Sequence, residues 1–359
     1  MRRGILLGIV LFVGFVASAQ NNYQICGKIN GMTEGTLLLV TDEVGRVDTL
    51  NSTQIKNGFF MFEGRVNRPI AVYITLTNED RIVPFILECT NITINVNNTG
   101  TLIQGGELQE IFNQFARVNV FLLQEQERIQ NEFWQAEQVG DTSRMRSLTK
   151  QFERVITDAR SRERVLLEKY SDTYVAALVV ASGMYQLELD TLKARYALLS
   201  ESARATVPGC SIAALISTWE NIKEGNVAPD FMVSSLQGDS LSLHSVKSKL
   251  KLIHFWESSD AACRRDNVKL LDLYQRFHLK GLEIISVSSD KNEQVWVKAV
   301  NTDGMFWRNG LDRNLRTFYL YGVKTLPYTI LLDEENHIIA KNLEIKVLQK
   351  KINELLKKK

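Results

Sequence analysis

The sequence predicts an α/β domain at its C-terminal end, preceded by an all-β, sandwich-like domain and a helical segment. Strand and helix patterns alternate through residues 225–359, which is typical of an α/β fold. Short β-branched runs recur in residues 20–105, whereas residues 106–224 are rich in Gln, Glu, Arg and Leu. A chain of 359 residues is also too long for one ordinary domain.

Residues 1–19 have the pattern of a secretory signal peptide. Met1-Arg2-Arg3 supplies positive charge, an apolar run follows, and Ala17-Ser18-Ala19 fits the small-residue cleavage pattern. The apolar run is too short to span a bilayer comfortably, and no second one follows. We expect export to the periplasm or cell envelope, cleavage near Gln20 and no stable membrane span afterwards. An uncleaved anchor is the alternative.

Residues 20–105 predict a small antiparallel sandwich or barrel. Tyr23 and Ile25 begin an alternating apolar pattern, and Asn57-Gly58 is a hairpin-type turn that aromatic residues follow. Regular spacing of short strands favours such a domain. The predicted strands after the first cover residues 36–40, 59–62, 71–76, 85–88 and 92–96.

Residues 106–224 predict antiparallel helices. Apolar side chains recur at helical spacing from Leu108 to Phe115, and Asp141 or Thr142 can cap a second helix that runs to about Tyr170. Pro208-Gly209 is interpreted as the end of a helix that begins at Asp190. The other predicted helices cover residues 176–184 and 212–222.

Residues 225–359 carry the α/β pattern. Its predicted strands cover residues 251–256, 282–288, 328–332 and 338–341. Its predicted helices cover residues 260–278, 292–300 and 348–356.

Composition excludes several classes of function. The net charge is +2, and the terminal Lys357-Lys358-Lys359 is interpreted as a solvated tail, so we predict no nucleic-acid partner. Neither a Gly-rich phosphate loop nor a Ser-His-Asp set is present. The sequence also lacks a Cys-x-x-Cys pair and a His cluster, and we therefore predict no cofactor and no metal.

The four cysteines are Cys26, Cys89, Cys210 and Cys263. Export suggests an oxidising compartment, where disulfides persist. Four cysteines allow three pairings, and the sequence does not choose among them. Cys26 and Cys89 can bridge two strands, or each can be a small core residue.

One segment resembles the strand-to-helix turn of thioredoxin-like proteins. It reads Leu252-Ile253-His254-Phe255-Trp256-Glu257-Ser258-Ser259-Asp260-Ala261-Ala262-Cys263-Arg264. Those proteins have an apolar strand, Phe-Trp, two residues and then Trp-Cys-Gly-Pro-Cys. On that pattern Cys263 matches the second, resolving cysteine, and Asp260 matches the first, which is the nucleophile.

The whole of residues 225–359 resembles the TlpA-like branch of the thioredoxin fold, within the alkyl hydroperoxide reductase/thiol-specific antioxidant superfamily. Each motif is moderately specific, and together, in this order, they are strongly so. In chain order they are Ala228-Pro229-Asp230-Phe231, Ser240-Leu241-Ser242-Leu243, Phe255-Trp256, Asp303-Gly304 with Trp307, and the segment from Tyr321 through Pro327 to Asp333.

The N-terminal region resembles the small β-domain that precedes thioredoxin domains in many exported bacterial proteins. The resemblance is carried by Ile25-Cys26-Gly27-Lys28-Ile29, by Asn57-Gly58-Phe59-Phe60-Met61-Phe62-Glu63-Gly64 and by Phe85-Ile86-Leu87-Glu88. It implies an architecture and no chemistry.

The resemblance implies thiol-disulfide exchange, with exported or thiol-disulfide partner proteins as partners. In such a site the first cysteine lies at a helix N-terminus, where free N–H groups favour its thiolate, and the second resolves the mixed disulfide. A proline that is usually cis shapes the substrate groove, and Pro327 matches it. We expect Trp256, Leu326 and Pro327 to line that groove.

Asp260 and Cys263 leave several interpretations open. Asp260 is expected to cap the helix, and no partner can be named for it as a general acid or base. Cys263 is either a buried, unreactive thiol, a single working thiol that forms transient mixed disulfides, or half of a disulfide. The negative charge of Asp260 disfavours a Cys263 thiolate, whereas Arg264 and Arg265 favour one.

Three further expectations concern neighbouring residues. The peroxiredoxin pattern needs a Pro and a Thr before the reactive cysteine, and neither precedes Cys263. His254, inside a strand, is expected to be packed or hydrogen-bonded. Aromatic residues are expected to build the core and the groove walls; they are Trp256, Trp296, Phe306 and Trp307.

Two hypotheses about function follow. One is a redox enzyme of reduced form that works through Cys263 alone. The other is a non-catalytic binding or scaffold module that uses the groove near Pro327, because a fold alone does not decide function.

Overall fold

The computed structural model describes residues 22–43, 47–76, 79–98 and 100–357. The predicted signal peptide, residues 1–19, lies outside them. The chain divides into two compact units. One comprises Met1–Val179 with Leu199–Pro208, and the other comprises Val180–Leu198 with Gly209–Lys359.

The first unit begins with a sheet of eight strands in the order β6-β5-β2-β3-β4-β1-β7-β8. Neighbouring strands are antiparallel except for β1 and β7, which are parallel. The strands are β1 (Asn22–Ile29), β2 (Glu34–Thr41), β3 (Asp48–Lys56), β4 (Phe59–Arg65), β5 (Ile70–Leu76), β6 (Glu79–Leu87), β7 (Asn91–Asn97) and β8 (Gly100–Gln104).

This sheet behaves as two halves that face each other. β3 and β4 pair only where the Asn57-Gly58 turn joins them, at Lys56 and Phe59. This point divides the sheet into one half made of β6, β5, β2 and β3 and another made of β4, β1, β7 and β8. Both halves contribute to one buried cluster: Leu39 comes from the first half, and Ile25 and Phe62 come from the second. The arrangement confirms the all-β, sandwich-like prediction.

Two long helices follow as an antiparallel hairpin, α1 (Glu107–Gln138) and α2 (Thr142–Lys169). Near the open end Tyr170 donates a hydrogen bond to Gln114, and near the turn Arg144 pairs with Glu132. The Asp141 carboxylate accepts the backbone N–H of Arg144, so Asp141 is the N-cap of α2, one of the two predicted candidates.

The later helices are shorter, and one prediction about them is wrong. They are α3 (Tyr174–Ser182), α4 (Leu189–Ala197), α5 (Glu201–Arg204) and α6 (Val207–Asn221), with a 3₁₀ turn at Met184–Gln186. Pro208-Gly209 does not end a helix but lies in the first turn of α6. Proline is tolerated there because first-turn N–H groups have no partner within the helix.

The second unit contains a seven-stranded sheet in the order β10-β9-β13-β12-β11-β14-β15. β11, β12 and β13 are mutually parallel, and the other pairs are antiparallel. In chain order the elements are β9 (Met232–Ser235), β10 (Ser240–Ser242), β11 (Leu250–Trp256), α7 (Ala261–Phe277), β12 (Leu282–Ser288), α8 (Glu293–Thr302), β13 (Arg308–Leu311), α9 (Arg316–Tyr321), β14 (Tyr328–Asp333), β15 (Ile338–Lys341) and α10 (Ile345–Lys357).

This sheet is a thioredoxin-like fold, as predicted, although β9, β13 and α9 were not anticipated. Successive side chains of β11 point to opposite faces. Leu252 and Trp256 join a core with residues of α7, α8 and α10. Phe255 instead packs against Phe318 and Tyr321 of α9, with ring centroids 5.1 and 5.6 Å away. The turn after β11 is therefore anchored by a strand that is buried on both faces.

Among the described helices, none combines the length and apolar character that crossing a bilayer requires.

Candidate functional site

The candidate site is the turn between β11 and α7. Asp260 is the N-cap of α7, and its Oδ1 accepts the backbone N–H of Cys263 over 2.7 Å. This hydrogen bond, together with the neighbouring Cys263 thiol, lowers the pKa of Asp260 below its ordinary value. The carboxylate is therefore ionised at neutral pH and occupies the helix N-terminus, where a thiolate would need the same N–H groups.

Cys263 lies one turn further in and is 0% exposed. Burial is the main cause that raises the pKa of its thiol to about 12, and the neighbouring Asp260 carboxylate also raises it. A thiol with this pKa is almost entirely protonated at neutral pH, and only the thiolate attacks a disulfide. Cys263 therefore lies in the core as a protonated thiol.

Below the turn lies a buried polar cluster that sequence reasoning missed. Ser258 donates through its hydroxyl and its backbone N–H to the Asp290 carboxylate, over 2.6 and 3.1 Å. Ser288, the last residue of β12, donates to the same carboxylate over 2.6 Å. Asp290 is 6% exposed, so its carboxylate fixes the turn from beneath. The sequence contains one signal that could have indicated this cluster, which is the run of polar residues after a buried strand.

We expect Asp290→Ala to destabilise the second unit by about 3 kcal/mol, because it leaves two buried seryl groups without their acceptor. Asp272→Ala, which removes a half-exposed aspartate, is the matched control and should change the free energy of unfolding by less than about 0.5 kcal/mol. Urea unfolding at pH 7 measures both. Equal losses in the two variants would show that the cluster does not hold the turn.

Arg264 does not act on Cys263 as the sequence suggested. Its guanidinium forms two hydrogen bonds of 2.6 Å with the Asp303 carboxylate. Asn267 donates to the same carboxylate over 2.7 Å. The Arg264 charge is thus committed to the segment that follows α8, and it helps to fix the start of α7.

The predicted groove residues Leu326 and Pro327 lie next to the turn, and the bond between them is cis. Tyr328 begins β14 and pairs with Phe255, so Pro327 precedes the strand at the end of β11 where the turn begins. Both residues are half-buried, and Leu326 packs against the core cluster that contains Trp256 and Cys263.

Trp256 requires a correction, because it does not line an open groove. It is 0% exposed and lies in the core on the α7 side of the sheet. The sequence places Trp256 at the end of the strand but does not say which face it points to. Phe306 is the opposite case: it was expected in the core or a groove wall, and it is 80% exposed.

His254 is packed and hydrogen-bonded, as predicted. It is 0% exposed, and its Nδ1 lies 3.0 Å from the Ser286 hydroxyl. Trp307 Nε1 donates to that same hydroxyl oxygen over 2.7 Å, so the Ser286 hydroxyl bonds both side chains. Burial lowers the pKa of His254 to about 3, so the ring is neutral and does not take part in proton transfer at the turn.

The four cysteines all lie in the described part of the chain, and none is in a disulfide bond. Cys26, Cys89 and Cys210 are exposed, whereas Cys263 is buried. The predicted alternatives of a Cys26–Cys89 bridge and of a disulfide at Cys263 are therefore not what the structure contains.

Three potential metal ligands come together in the loop between β14 and β15. Ligand atoms of Asp333, Glu335 and His337 lie within 4.8 Å of one another. This loop is at the far end of β14 from the turn. The Lys251 ammonium donates to Glu334 O and Asn336 Oδ1 in the same loop, and its positive charge opposes a second cation there.

Comparison with protein families matches both ends of the chain. Residues 224–342 match the AhpC/TSA family. Residues 23–112 match a domain of unknown function, DUF4369. The first match covers the turn, and the second covers the β-domain.

Individual relatives match about a third of the chain. The thiol-disulfide oxidoreductase ResA of Bacillus thuringiensis is 28% identical over 120 residues, which is 33% of this chain and 69% of that protein. ResA of Bacillus subtilis is 25% identical over 126 residues, 35% of this chain and 70% of that protein.

Among solved structures, the thioredoxin domain of a thiol-disulfide oxidoreductase from Bacteroides vulgatus is 32% identical. The match covers 37% of this chain and 98% of that domain, with a TM-score of 0.35. A thiol:disulfide interchange protein from Bacteroides sp. is also 32% identical, over 38% of this chain and 91% of that protein, with a TM-score of 0.36.

Proposed function

The C-terminal domain is a TlpA-like thioredoxin-fold domain of the thiol-disulfide oxidoreductase family, and from this premise we propose that the protein is an exported member in which two-cysteine exchange is lost. The observation that carries the proposal is the Asp260 carboxylate at the N-terminus of α7, bonded to the Cys263 backbone N–H over 2.7 Å. A carboxylate holds the position from which a thiolate would attack.

The exchange reaction shows why this matters. A thiolate attacks one sulfur of a substrate disulfide, a new S–S bond forms, and the other substrate sulfur leaves as a thiolate. The second cysteine then breaks the mixed disulfide. Asp260 has no sulfur for the first step, and Cys263 is buried with a raised pKa, so it does not substitute for the missing nucleophile.

A second candidate function is non-catalytic binding at the groove beside Pro327. It is favoured by the half-buried Leu326 and Pro327 beside a turn that keeps its capped geometry without a reactive thiol. The partner class is an exported protein or another thiol-disulfide protein. The ionised Asp260, half-buried at the turn, would favour a partner segment that is neutral or basic.

Export rests on the N-terminal sequence. Met1-Arg2-Arg3, the apolar run and Ala17-Ser18-Ala19 together support a cleaved signal peptide and a location in the periplasm or cell envelope. We propose Gln20 as the approximate start of the mature chain.

A disulfide-reduction assay tests the loss of exchange. With insulin as substrate and dithiothreitol as reductant, we expect the wild type and Cys263→Ser to differ by less than about twofold, because the thiolate is missing in both. Cys26→Ser, which removes an exposed thiol far from the turn in sequence, is the matched control. Turnover by the wild type that Cys263→Ser abolishes and Cys26→Ser preserves would refute the proposal.

A further inference from the structure

The second unit contains a polar cavity at the edge of its sheet, away from the turn. It lies between the β9–β10 hairpin, the C-terminal part of α7 and the start of β13, and has a volume of about 370 Å³. Glu283, which lines it, is the second residue of β12, whereas the turn neighbours Ser288 at the other end of that strand. The volume is within the range of small-molecule sites.

Charged groups of both signs and hydroxyl groups line this cavity. Arg308 Nε lies 3.7 Å from Glu283 Oε2, and the backbone N–H of Ile284 donates to Glu283 Oε1 over 3.1 Å. Burial, and after it the negative charge of the Glu283 carboxylate, raises the pKa of Tyr274 to about 12. Tyr274 is therefore a neutral hydroxyl group at neutral pH. The other carboxylate of the lining, Asp239, accepts the Ser235 hydroxyl.

Asn309 belongs to the inner wall of the cavity. It lines the cavity and is 3% exposed. Its Nδ2 donates to Met305 O and to Trp307 O, both over 2.9 Å, but its buried Oδ1 has no partner among the described residues. These two hydrogen bonds hold the start of β13 in place, and Asn309 forms part of the rigid inner wall of the cavity.

An aromatic surface completes the cavity. Phe306 stands at the rim with 80% of its surface exposed, although it lies beside the buried Trp307. Trp307 and Tyr274 also line the cavity, with ring centroids 5.4 Å apart. A flat exposed ring beside polar groups suits a ligand that has one apolar face and a polar edge.

From these observations we propose that the cavity binds a small, neutral saccharide. Adjacent ring hydroxyls both donate and accept, so they match the carboxylate of Glu283 and the guanidinium of Arg308, which line the cavity side by side. The C–H face of a pyranose packs on Phe306. A cationic ligand fits less well, because Arg308 lies beside Glu283 and Asp239 is already bonded to Ser235.

Titration of the mature protein with glucose, galactose, N-acetylglucosamine and maltose tests this, followed by tryptophan fluorescence and by saturation-transfer NMR. We expect saturable binding of at least one sugar. Phe306→Ala should weaken it about tenfold or more, since it removes the stacking surface. Glu283→Gln should also weaken it. Phe59→Ala, which removes an exposed phenylalanine of the β-domain, is the matched control and should leave affinity unchanged.

Several outcomes would overturn the proposal. One is the absence of saturable binding for every sugar tested, and another is an equal loss of affinity in Phe306→Ala and Phe59→Ala. Tighter binding of putrescine or lysine than of any sugar would assign the cavity to amines instead. This test is independent of redox activity, because neither Phe306→Ala nor Glu283→Gln changes a residue of the turn between β11 and α7.

Discussion

Asp260→Cys should raise disulfide-reductase activity at least about tenfold above the wild type, because it restores a thiol at a helix N-terminus where free N–H groups favour the thiolate. Cys263 then lies one helical turn away and can resolve the mixed disulfide. The substitution also removes the carboxylate that raises the pKa of Cys263. The measurement is the rate of insulin reduction at pH 7.

Asp260→Ser is the matched control for this gain. Serine keeps a capping oxygen and removes the charge, but it supplies no sulfur, so we expect it to remain at the wild-type rate. The double variant Asp260→Cys with Cys263→Ser should form a mixed disulfide with the substrate but should not resolve it, because the second thiol is absent. A folded Asp260→Cys protein that shows no gain would mean that the turn lacks the geometry for exchange.

The second large effect concerns pH, because His254 is buried in its neutral form. Its pKa is lowered to about 3 in the folded protein, whereas the ordinary value is about 6.5. Because the pKa of His254 is lower in the folded than in the unfolded protein, its neutral form contributes fully to the free energy of unfolding above pH 6.5. This contribution falls as the pH drops towards 3. Between pH 7 and pH 4 the lost free energy of unfolding should be about 3 kcal/mol.

His254→Phe isolates this contribution. Phenylalanine fills a similar volume but does not titrate. The substitution also removes the hydrogen bond to Ser286, and the free energy lost with that bond is the same at both pH values. The pH dependence of urea unfolding should therefore be about 3 kcal/mol smaller in His254→Phe than in the wild type. Tryptophan fluorescence reports on unfolding of the second unit, because that unit contains Trp219, Trp256, Trp296 and Trp307. An identical pH dependence in both proteins would contradict a buried neutral imidazole.

Much of the fold was predictable because its signals are local. Alternating apolar residues located most strands of both sheets, and Asp141 marked the start of α2. The motifs around Phe255-Trp256 and Pro327 placed the turn and the proline beside it. Their order along the chain, rather than any single motif, carried the family resemblance.

What the sequence missed depends on tertiary contacts. Asp290 reaches Ser258 only because the ends of β11 and β12 are neighbours in the sheet. Arg264 was expected to act on the adjacent thiol, but Asp303, distant in sequence, holds it. Trp256 was assigned to a groove because the strand pattern gives alternation without naming the face that α7 covers.

Thiol labelling of the native protein tests the central claim most directly. With a thiol pKa of about 12, Cys263 carries a thiolate fraction of only about one in ten thousand at pH 8. We therefore expect N-ethylmaleimide, followed by peptide mass spectrometry, to modify Cys26 and Cys89 within minutes. Cys263 should react only after unfolding in urea. Modification of Cys263 as fast as that of Cys26 would show a reactive thiol at the turn and would contradict the account.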